Sequence, residues 1–315
     1  MKTPVKPTSI TGAQKGLLHT NLGLIDWLIE VRVHHWVKNS LVFLPLALTP
    51  QLLSLQTVLQ CILGFLALSI SCSGTYLFND VFDRAADRLH WSKCRRPVAS
   101  GRISTTSAVL GGVALCTVGL LAALVIDPIF AALLAAYVAL SISYSYYLKT
   151  LVLLDLVTLA GMFTLRIMMG AVLISGAITP WLPIFVFLFF GGLSTAKRTA
   201  ELVARTKRQD QSNNRRGYEE QDVPLLISLG ISFSIGALVI LSVFLANVAI
   251  PEALYQSPLR LWIAVPLLLL WTLRIWILAA RGNLPDDPVL FSLKDPVSLI
   301  AGVLLGLSIV AAHLT

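Results

Sequence analysis

Charge is the feature that this sequence has least of. Only 13% of its 315 residues are Asp, Glu, Lys or Arg, and 56% are hydrophobic, whereas a soluble domain carries about 25% charged residues. Such a chain cannot cover an aqueous surface, which excludes an ordinary soluble protein. Segments of about ten alternating apolar and polar residues, typical of a transmembrane β-barrel, are also missing. The four cysteines lack CxxC spacing, so neither a zinc site nor a disulfide framework is indicated.

What the chain has instead is a succession of apolar stretches of about twenty residues, the length that a helix needs to cross a bilayer. They predict an all-α polytopic membrane protein, one domain over residues 1–315 with about nine transmembrane helices. The predicted spans are 39–53, 56–77, 107–126, 129–148, 151–174, 181–197, 223–249, 259–280 and 296–314.

Basic residues fall on one side of this predicted topology. They concentrate in the N-terminal segment, in 78–106, at Lys149, in 197–222 and in 281–295. The positive-inside rule makes that side the cytoplasm. We therefore predict an integral protein of the cytoplasmic (inner) membrane, with its N-terminus and active site inside and its C-terminus outside. Bases dispersed among membrane loops indicate contacts with membrane lipids or anionic substrates, and no nucleic acid.

The stretch before the first predicted span is polar and then amphipathic. We predict a flexible tail over residues 1–22 and a helix on the membrane surface over residues 23–38, GLIDWLIEVRVHHWVK, with tryptophans at headgroup level. Its polar end predicts residues that guide an anionic headgroup into a site. These are Arg32, His34, His35, Lys38 and Asn39. A plain membrane-surface anchor is the alternative.

Residues 78–102, FNDVFDRAADRLHWSKCRRPVASGR, concentrate acids and bases between two apolar runs. If residues 78–90 continue the second span as a helix, one arc of about 100° carries Asn79, Asp80, Asp83 and Asp87. Carboxylates this close repel one another unless a cation lies between them, and ligands that are all oxygen select a hard ion such as Mg²⁺. The neighbouring cations suited to phosphate oxygens are Lys93, Arg95, Arg96 and Arg102. The loop predicts a Mg²⁺–diphosphate site; a solvated, salt-bridged loop is the alternative.

Two charged residues fall within the predicted spans. Asp155 and Arg166 are eleven residues apart, so they lie within about 20° of one helix face, and such charges usually face a cavity. Asp155 is a candidate for contacting substrate hydroxyls or metal-bound water, and Arg166 is a candidate structural residue. Tyr144 and Lys149 are candidates for lining the same cavity, although aromatic residues at a span end are more often interface anchors.

The acidic motif resembles that of a known family. Residues 79–87, NDVFDRAAD, are similar to the NDxxDxxxD signature of the UbiA-type polyprenyltransferase superfamily. The resemblance implies nine transmembrane helices around a lipid-open cavity, with a Mg²⁺-dependent active site on the cytoplasmic side. Typical members carry a second motif, DxxxD, after the sixth span. This sequence has Lys197, Arg198 and Glu201 there instead.

The second loop, STAKRTAELVARTKRQDQSNNRRGYEEQDVP, resembles the decaprenyl-phosphate phosphoribosyltransferase branch, which has a KRxAEL segment followed by a tyrosine, here Tyr218. That branch implies transfer of a 5-phosphoribosyl group from phosphoribosyl diphosphate to a polyprenyl phosphate in cell envelope biosynthesis, and it is compatible with homo-oligomers. Lys197 and Glu201 would be catalytic with the three aspartates, and Arg198 and Tyr218 would bind substrate. Lys197 and Glu201 are also four apart on a helix, and a simple ion pair is the alternative for them.

Two other functions compete with phosphoribosyl transfer. One is polyprenyl transfer from a polyprenyl diphosphate to an aromatic acceptor such as 4-hydroxybenzoate, which the missing DxxxD motif disfavours. The other is transport. Transporters often contain inverted repeats and binding sites near the bilayer midplane. This sequence has no internal repeat, and its polar cluster lies at the predicted membrane edge.

Overall fold

The computed structural model describes residues 23–89, 93–176, 180–208, 216–251, 255–285 and 287–313. The structure is 86% helical, and the described residues form no strand, which confirms the predicted all-α class. The tail predicted over residues 1–22 lies outside the described residues.

The α-helices are numbered in chain order. The long ones are α3 (Leu55–Leu89), α5 (Thr105–Ile126), α6 (Pro128–Tyr146), α7 (Leu154–Leu173), α8 (Trp181–Arg208), α9 (Val223–Phe244), α10 (Ala264–Ala280) and α12 (Pro296–His313). The short ones are α1 (23–30), α2 (Leu44–Leu48), α4 (Pro97–Ser100) and α11 (Pro288–Ser292). The 3-10 helices are Val33–Phe43, Pro50–Leu52, Lys93–Arg95, Leu148–Thr150, Glu220–Asp222 and Pro258–Ile263, and a π-helix, Leu245–Ala249, extends α9.

Seven helices of the described residues are long and apolar enough to cross a membrane. They are Leu55–Leu89, Thr105–Ile126, Pro128–Tyr146, Leu154–Leu173, Glu220–Ala249, Pro258–Ala280 and Pro296–His313. Two predicted spans have no such counterpart. The first, 39–53, is divided among short helices, and the second, 181–197, lies in α8, whose C-terminal half is charged. The predicted number of nine is therefore not confirmed.

The predicted surface helix over residues 23–38 is wrong in its extent. Helix α1 ends at Glu30, and Arg32 has a left-handed backbone, with φ of 51°, before a 3-10 helix begins at Val33. Val31 and Val33 are β-branched, so this stretch has little intrinsic tendency to continue an α-helix. The apolar side chains of α1 are exposed, as a helix on a membrane surface requires. They are Leu24, Ile25, Leu28 and Ile29.

Helix α3 packs closely against α5 through glycines. A Cβ added at Gly74 would lie 2.7 Å from the backbone oxygen of Gly112, and one added at Gly119 would lie 2.7 Å from that of Ala67. Small residues let two membrane helices approach to backbone contact. This contact holds the long helix whose last turns carry the acidic motif.

Helix α8 is held against α9 and α10 in a similar way. A Cβ added at Gly230 of α9 would collide with the indole ring of Trp276 in α10. The indole nitrogen of Trp276 donates a hydrogen bond to Ser234 at 3.1 Å. A Cβ added at Gly192 of α8 would lie 2.6 Å from the hydroxyl oxygen of Ser234, so α8, which carries Lys197, Arg198 and Glu201, packs closely against α9.

Candidate active site

The last turns of α3 bring the acidic motif next to the turn after α1 and the loop before α4. Helix α3 continues to Leu89, as the helical arc requires. Asp80 and Asp87 are buried. The Oδ1 atom of Asp80 accepts hydrogen bonds from Arg32 and, at 3.0 Å, from Arg96. Arg96 also donates to Asp87 at 2.6 Å. Two arginines from other segments thus hold the acidic face of α3.

Lys149, from the connection between α6 and α7, reaches the third aspartate. Its Nζ atom lies 2.6 Å from the Oδ1 atom of Asp83, and the lysine side chain is almost fully buried. The amide of Asn79 lies 3.4 Å from Asp80 Oδ1. The structure therefore brings together all four residues of the predicted arc and adds Lys149 to them.

The other predicted phosphate-binding cations of this loop occupy different positions. Arg95 is exposed, and Lys93 is half-buried in the same 3-10 helix. Arg102 donates to the backbone oxygen of Arg95 at 2.9 Å and to Asp26 of α1 at 3.0 Å. Arg96 is already bound by two carboxylates, whereas Arg95 and Arg102 are exposed.

The sequence reasoning missed Glu30, the last residue of α1. Its side chain is only 1% exposed and lies within hydrogen-bonding reach of Asp80. Burial, and then the charge of Asp80, raises the pKa of Glu30 to about 8. In the sequence, Glu30 is an acid within a short amphipathic segment. Such a residue is equally compatible with an exposed position, so the sequence does not predict its burial.

A divalent cation at this site would need carboxylate oxygens that no other group occupies. Among the described residues, no group of three or more His, Cys, Asp or Glu side chains is arranged to hold a metal. However, Asp80 Oδ2 and Glu30 Oε1 are both buried and accept no hydrogen bond. Mg²⁺ usually takes one or two carboxylates and completes its coordination with water and phosphate. The residues therefore fit one hard cation at Asp80, with oxygen ligands alone.

A second polar cluster forms where α8 meets α7. Arg198 is buried and donates to Asp155 at 2.6 Å, to Glu201 at 2.6 Å and to the hydroxyl of Tyr144 at 3.2 Å. The hydroxyl of Tyr218 donates to the other oxygen of Asp155. The structure thus brings together five residues that the sequence analysis singled out as candidates.

The carboxylates of this cluster are neutralised from within the chain. Glu201 also accepts a hydrogen bond from Arg216, and Lys197 Nζ lies 3.8 Å from its other oxygen. The charges of Arg198 and Arg216 outweigh burial and lower the pKa of Glu201. Beside these groups lies a small cavity of about 30 Å³, room for roughly one water.

Three further candidates of the N-terminal segment, Lys38, His34 and His35, lie near Asp287. Lys38 donates a hydrogen bond to Asp287, at the N-terminus of α11. Burial alone would raise the pKa of Asp287, but Lys38 outweighs it and lowers that pKa. Burial and Lys38 lower the pKa of His35 to about 3, and burial and Arg32 lower that of His34. Both imidazoles are therefore mostly neutral at pH 7, and their predicted role in guiding a headgroup stays a prediction.

Asn39 belongs to a buried network inside the helix bundle. Its amide donates to Ser69 at 3.0 Å, and its oxygen accepts from Arg166 at 2.9 Å. Arg166 also donates to Tyr137 at 2.7 Å and to the backbone oxygen of Met162 at 3.0 Å. These contacts support a structural role for Arg166, and the structure does not bring Asn39 to the acidic face of α3.

Fold and site together define a membrane-embedded transferase. Residues 40–295 match the model of the UbiA prenyltransferase family, and the chain belongs to this family. The sequence-based resemblance to that family is thereby confirmed, as is the enzyme class.

Three curated relatives show how far the sequence similarity extends. The uncharacterized protein y4nM of Sinorhizobium fredii is 38% identical over 287 residues, which are 91% of this chain and 56% of that protein. The chain thus spans about half the length of this relative. Nodulation protein NoeC of Azorhizobium caulinodans is 30% identical over 283 residues, 88% of this chain and 90% of that protein. Decaprenyl-phosphate phosphoribosyltransferase of Corynebacterium glutamicum is 31% identical over 187 residues, 57% of this chain and 56% of that protein.

Solved structures share the fold at much lower identity. A UbiA homolog from Archaeoglobus fulgidus, bound to DMAPP and Mg²⁺, superposes with a TM-score of 0.66 and 17% identity over 91% of this chain and 99% of that one. A digeranylgeranylglyceryl phosphate synthase gives a TM-score of 0.64 and 14% identity over 92% and 98% of the two chains. These matches confirm the UbiA-like fold, and with the apolar helices they make the chain an integral membrane protein.

Proposed function

We propose that the chain transfers a 5-phosphoribosyl group from phosphoribosyl diphosphate to a polyprenyl phosphate and releases pyrophosphate. The observation that carries the proposal is Arg198, which lies between Asp155 and Glu201. A guanidinium occupies the region where typical members carry their second acidic motif. A site for two anionic substrates needs cations there, because further free carboxylates would repel the phosphates.

The proposed Mg²⁺ would be held by Asp80 and Asp83, with Asp87 and Asn79 beside them. The ion supplies charge neutralisation for the departing diphosphate when it is bound. Arg32, Arg96 and Lys149 position these side chains. Two cations at the surface of the same loop, Lys93 and Arg95, would bind the outer phosphate oxygens.

The bond changes in the proposed reaction balance without a general base. An anionic oxygen of the lipid phosphate forms a bond to C1 of the ribose, and the bond from C1 to the diphosphate oxygen breaks. The electron pair leaves with pyrophosphate, so no proton must be removed from the nucleophile. Lys197 and Arg198 would stabilise the negative charges that meet at the site.

The proposed topology follows from the distribution of charge. Helix α1 and both polar clusters would lie at the cytoplasmic face of the inner membrane, where Lys and Arg concentrate. The lipid would enter sideways from the bilayer, and phosphoribosyl diphosphate would enter from the cytoplasm. We also propose that residues 1–315 form one domain, that the enzyme acts in cell envelope biosynthesis, and that it forms homo-oligomers.

Two assays on the purified chain with Mg²⁺ test the reaction. One offers labelled phosphoribosyl diphosphate and decaprenyl phosphate, and the other offers polyprenyl diphosphate and 4-hydroxybenzoate. We expect a phosphoribosylated lipid in the first assay and no product in the second. Product in the second assay alone would overturn the proposal in favour of prenyl transfer.

A further inference from the structure

In α1, Glu30 is buried, Asp26 and Trp27 are half-buried, and the other residues are exposed. The two turns of α1 place Leu24 and Leu28 outward, whereas Trp27 packs with Leu77 of α3 and Glu30 is 1% exposed. Residues three apart share one face of a helix. The packing of Trp27 therefore directs the same face, and with it Glu30, against the body of the protein.

The partner of Glu30 is the first aspartate of the acidic motif. The carboxyl groups of Glu30 and Asp80 lie within hydrogen-bonding reach of each other. Arg32 and Arg96 both bind the Oδ1 atom of Asp80. Asp80 Oδ2 and Glu30 Oε1 are buried and bonded to no other group. Each of the two carboxyl groups thus has one oxygen that accepts no hydrogen bond from the protein.

Buried acceptors of this kind require a partner. Most buried polar atoms in folded proteins have at least one hydrogen bond, and each exception needs an explanation. Two adjacent carboxylates repel unless a cation or a proton lies between them. Arg32 and Arg96 bind the Oδ1 atom of Asp80. They therefore leave Asp80 Oδ2 and Glu30 Oε1 without a partner.

We propose that Glu30 is a further ligand of the divalent cation, shared with Asp80. The inference rests on the metal of the proposed function, and it adds a ligand that lies outside the NDxxDxxxD motif and before residues 40–295 of the family match. Two carboxylates from two segments are a usual protein contribution to a Mg²⁺ site, with water and phosphate completing the coordination. Metal binding would then also fasten α1 to α3.

Asp26 provides a matched control on the same helix. It lies one turn before Glu30, and its carboxylate pairs with Arg102 at 3.0 Å. Asp26→Asn removes one acid from α1 without touching Asp80. Glu30→Gln removes the charge of Glu30 while keeping the size of the side chain.

The experiment measures Mn²⁺ binding by electron paramagnetic resonance on the purified full chain, with and without pyrophosphate. We expect Glu30→Gln to weaken Mn²⁺ binding about tenfold or more, since even residues that only support metal ligands contribute 10–100-fold. Asp26→Asn should bind as the unmodified chain does. Mn²⁺ should raise the melting temperature of the unmodified chain and of Asp26→Asn, and much less that of Glu30→Gln.

Unchanged Mn²⁺ affinity in Glu30→Gln would overturn the proposal and leave a proton shared between the two acids. If Glu30→Gln does not fold, Glu30→Asp keeps the charge on a shorter side chain and should bind Mn²⁺ with reduced affinity; unchanged affinity there would likewise overturn the proposal. Absence of Mn²⁺ binding by the unmodified chain, even with pyrophosphate, would reject the metal itself. These results do not depend on which donor or acceptor the enzyme uses, so the failure of the proposed reaction is distinguishable from the failure of this ligand assignment.

Discussion

The guanidinium of Arg198 lies 2.6 Å from the carboxylate of Asp155, and both side chains are buried. The pair joins α8 to α7, and Arg198 extends the contact to Glu201 within its own helix. A cation built into the chain therefore neutralises the acids of the second cluster. This arrangement makes the second loop a source of positive charge and leaves the acidic face of α3 as the proposed metal site.

Removing Arg198 should strongly destabilise the protein. Arg198→Met leaves the buried Asp155 without its counter-ion, and breaking a buried pair in this way costs about 3–5 kcal/mol. Adding Asp155→Asn should recover part of the loss because the uncompensated charge is gone. Thermal unfolding followed with a thiol-reactive dye measures the effect, since Cys61, Cys72 and Cys116 are buried.

Arg281→Met is the matched control for that series. Arg281 is exposed at the end of α10, and its replacement should change the stability by no more than about 0.5 kcal/mol. An Arg198→Met protein as stable as this control would contradict the role given to the buried pair.

The hydroxyl of Tyr218 should contribute through two hydrogen bonds. It donates to Asp155 and accepts from the backbone nitrogen of Leu153 at 2.9 Å. Leu153 has a positive φ of 68°, which a residue of this type adopts only when neighbouring contacts hold it. Tyr218→Phe should lower the free energy of unfolding by about 1–3 kcal/mol.

The exposed Tyr147 offers the comparison for that change. Tyr147→Phe should leave the melting temperature nearly unchanged, because its hydroxyl is at the surface. Equal melting temperatures for the two phenylalanine variants would show that the Tyr218 hydroxyl contributes nothing to the connection between α7 and α9.

Sequence reasoning succeeded where the relevant physics is local. The arc of Asn79, Asp80, Asp83 and Asp87 follows from helical geometry alone, and α3 continues through it to Leu89. The KRxAEL segment pointed to the cluster around Arg198 for the same reason, since Arg198 and Glu201 are one turn apart.

It failed where a contact joins distant segments. Nothing in the sequence states that Arg96 and Lys149 bind the aspartates rather than a phosphate, because that choice depends on how the loops fold back onto α3. The pairing of Glu30 with Asp80 requires the helix to end at Glu30 and the chain to turn at Arg32. Asn39 was predicted to help guide a headgroup into the site, and its buried position could not be foreseen because it depends on Ser69 and Arg166, which are distant in sequence.

Asp83→Asn should abolish Mg²⁺-dependent turnover while leaving the protein folded and inserted. The change removes one proposed metal ligand and the charge that pairs with Lys149. Loss of such an electrostatic contribution typically lowers kcat by about 100-fold or more. The measurement is formation of the phosphoribosylated lipid at saturating Mg²⁺, with the melting temperature as a check on folding.

The control for Asp83→Asn is Asp127→Asn, at the other end of the helices. Asp127 caps α6 by accepting hydrogen bonds from Ile129 and Phe130 at 2.7 and 2.8 Å. Asparagine caps a helix about as well as aspartate, so this variant should keep full activity. Full activity of Asp83→Asn as well would remove Asp83 from the metal site.

Asp295 should make the stability of the protein depend on pH in the acid range. Hydrogen bonds from Arg274 and Ser298 lower its pKa to about 2, from an ordinary value of 3.8. A carboxyl group whose pKa is lower in the folded state stabilises the protein fully above its ordinary pKa, and this contribution is lost as the pH falls through the folded-state value. The melting temperature should therefore fall between about pH 4 and pH 2. Asp295→Asn keeps a helix-capping side chain for α12 but cannot titrate, so its melting temperature should fall less steeply over this interval. Identical plots of melting temperature against pH for the two proteins would refute the assignment.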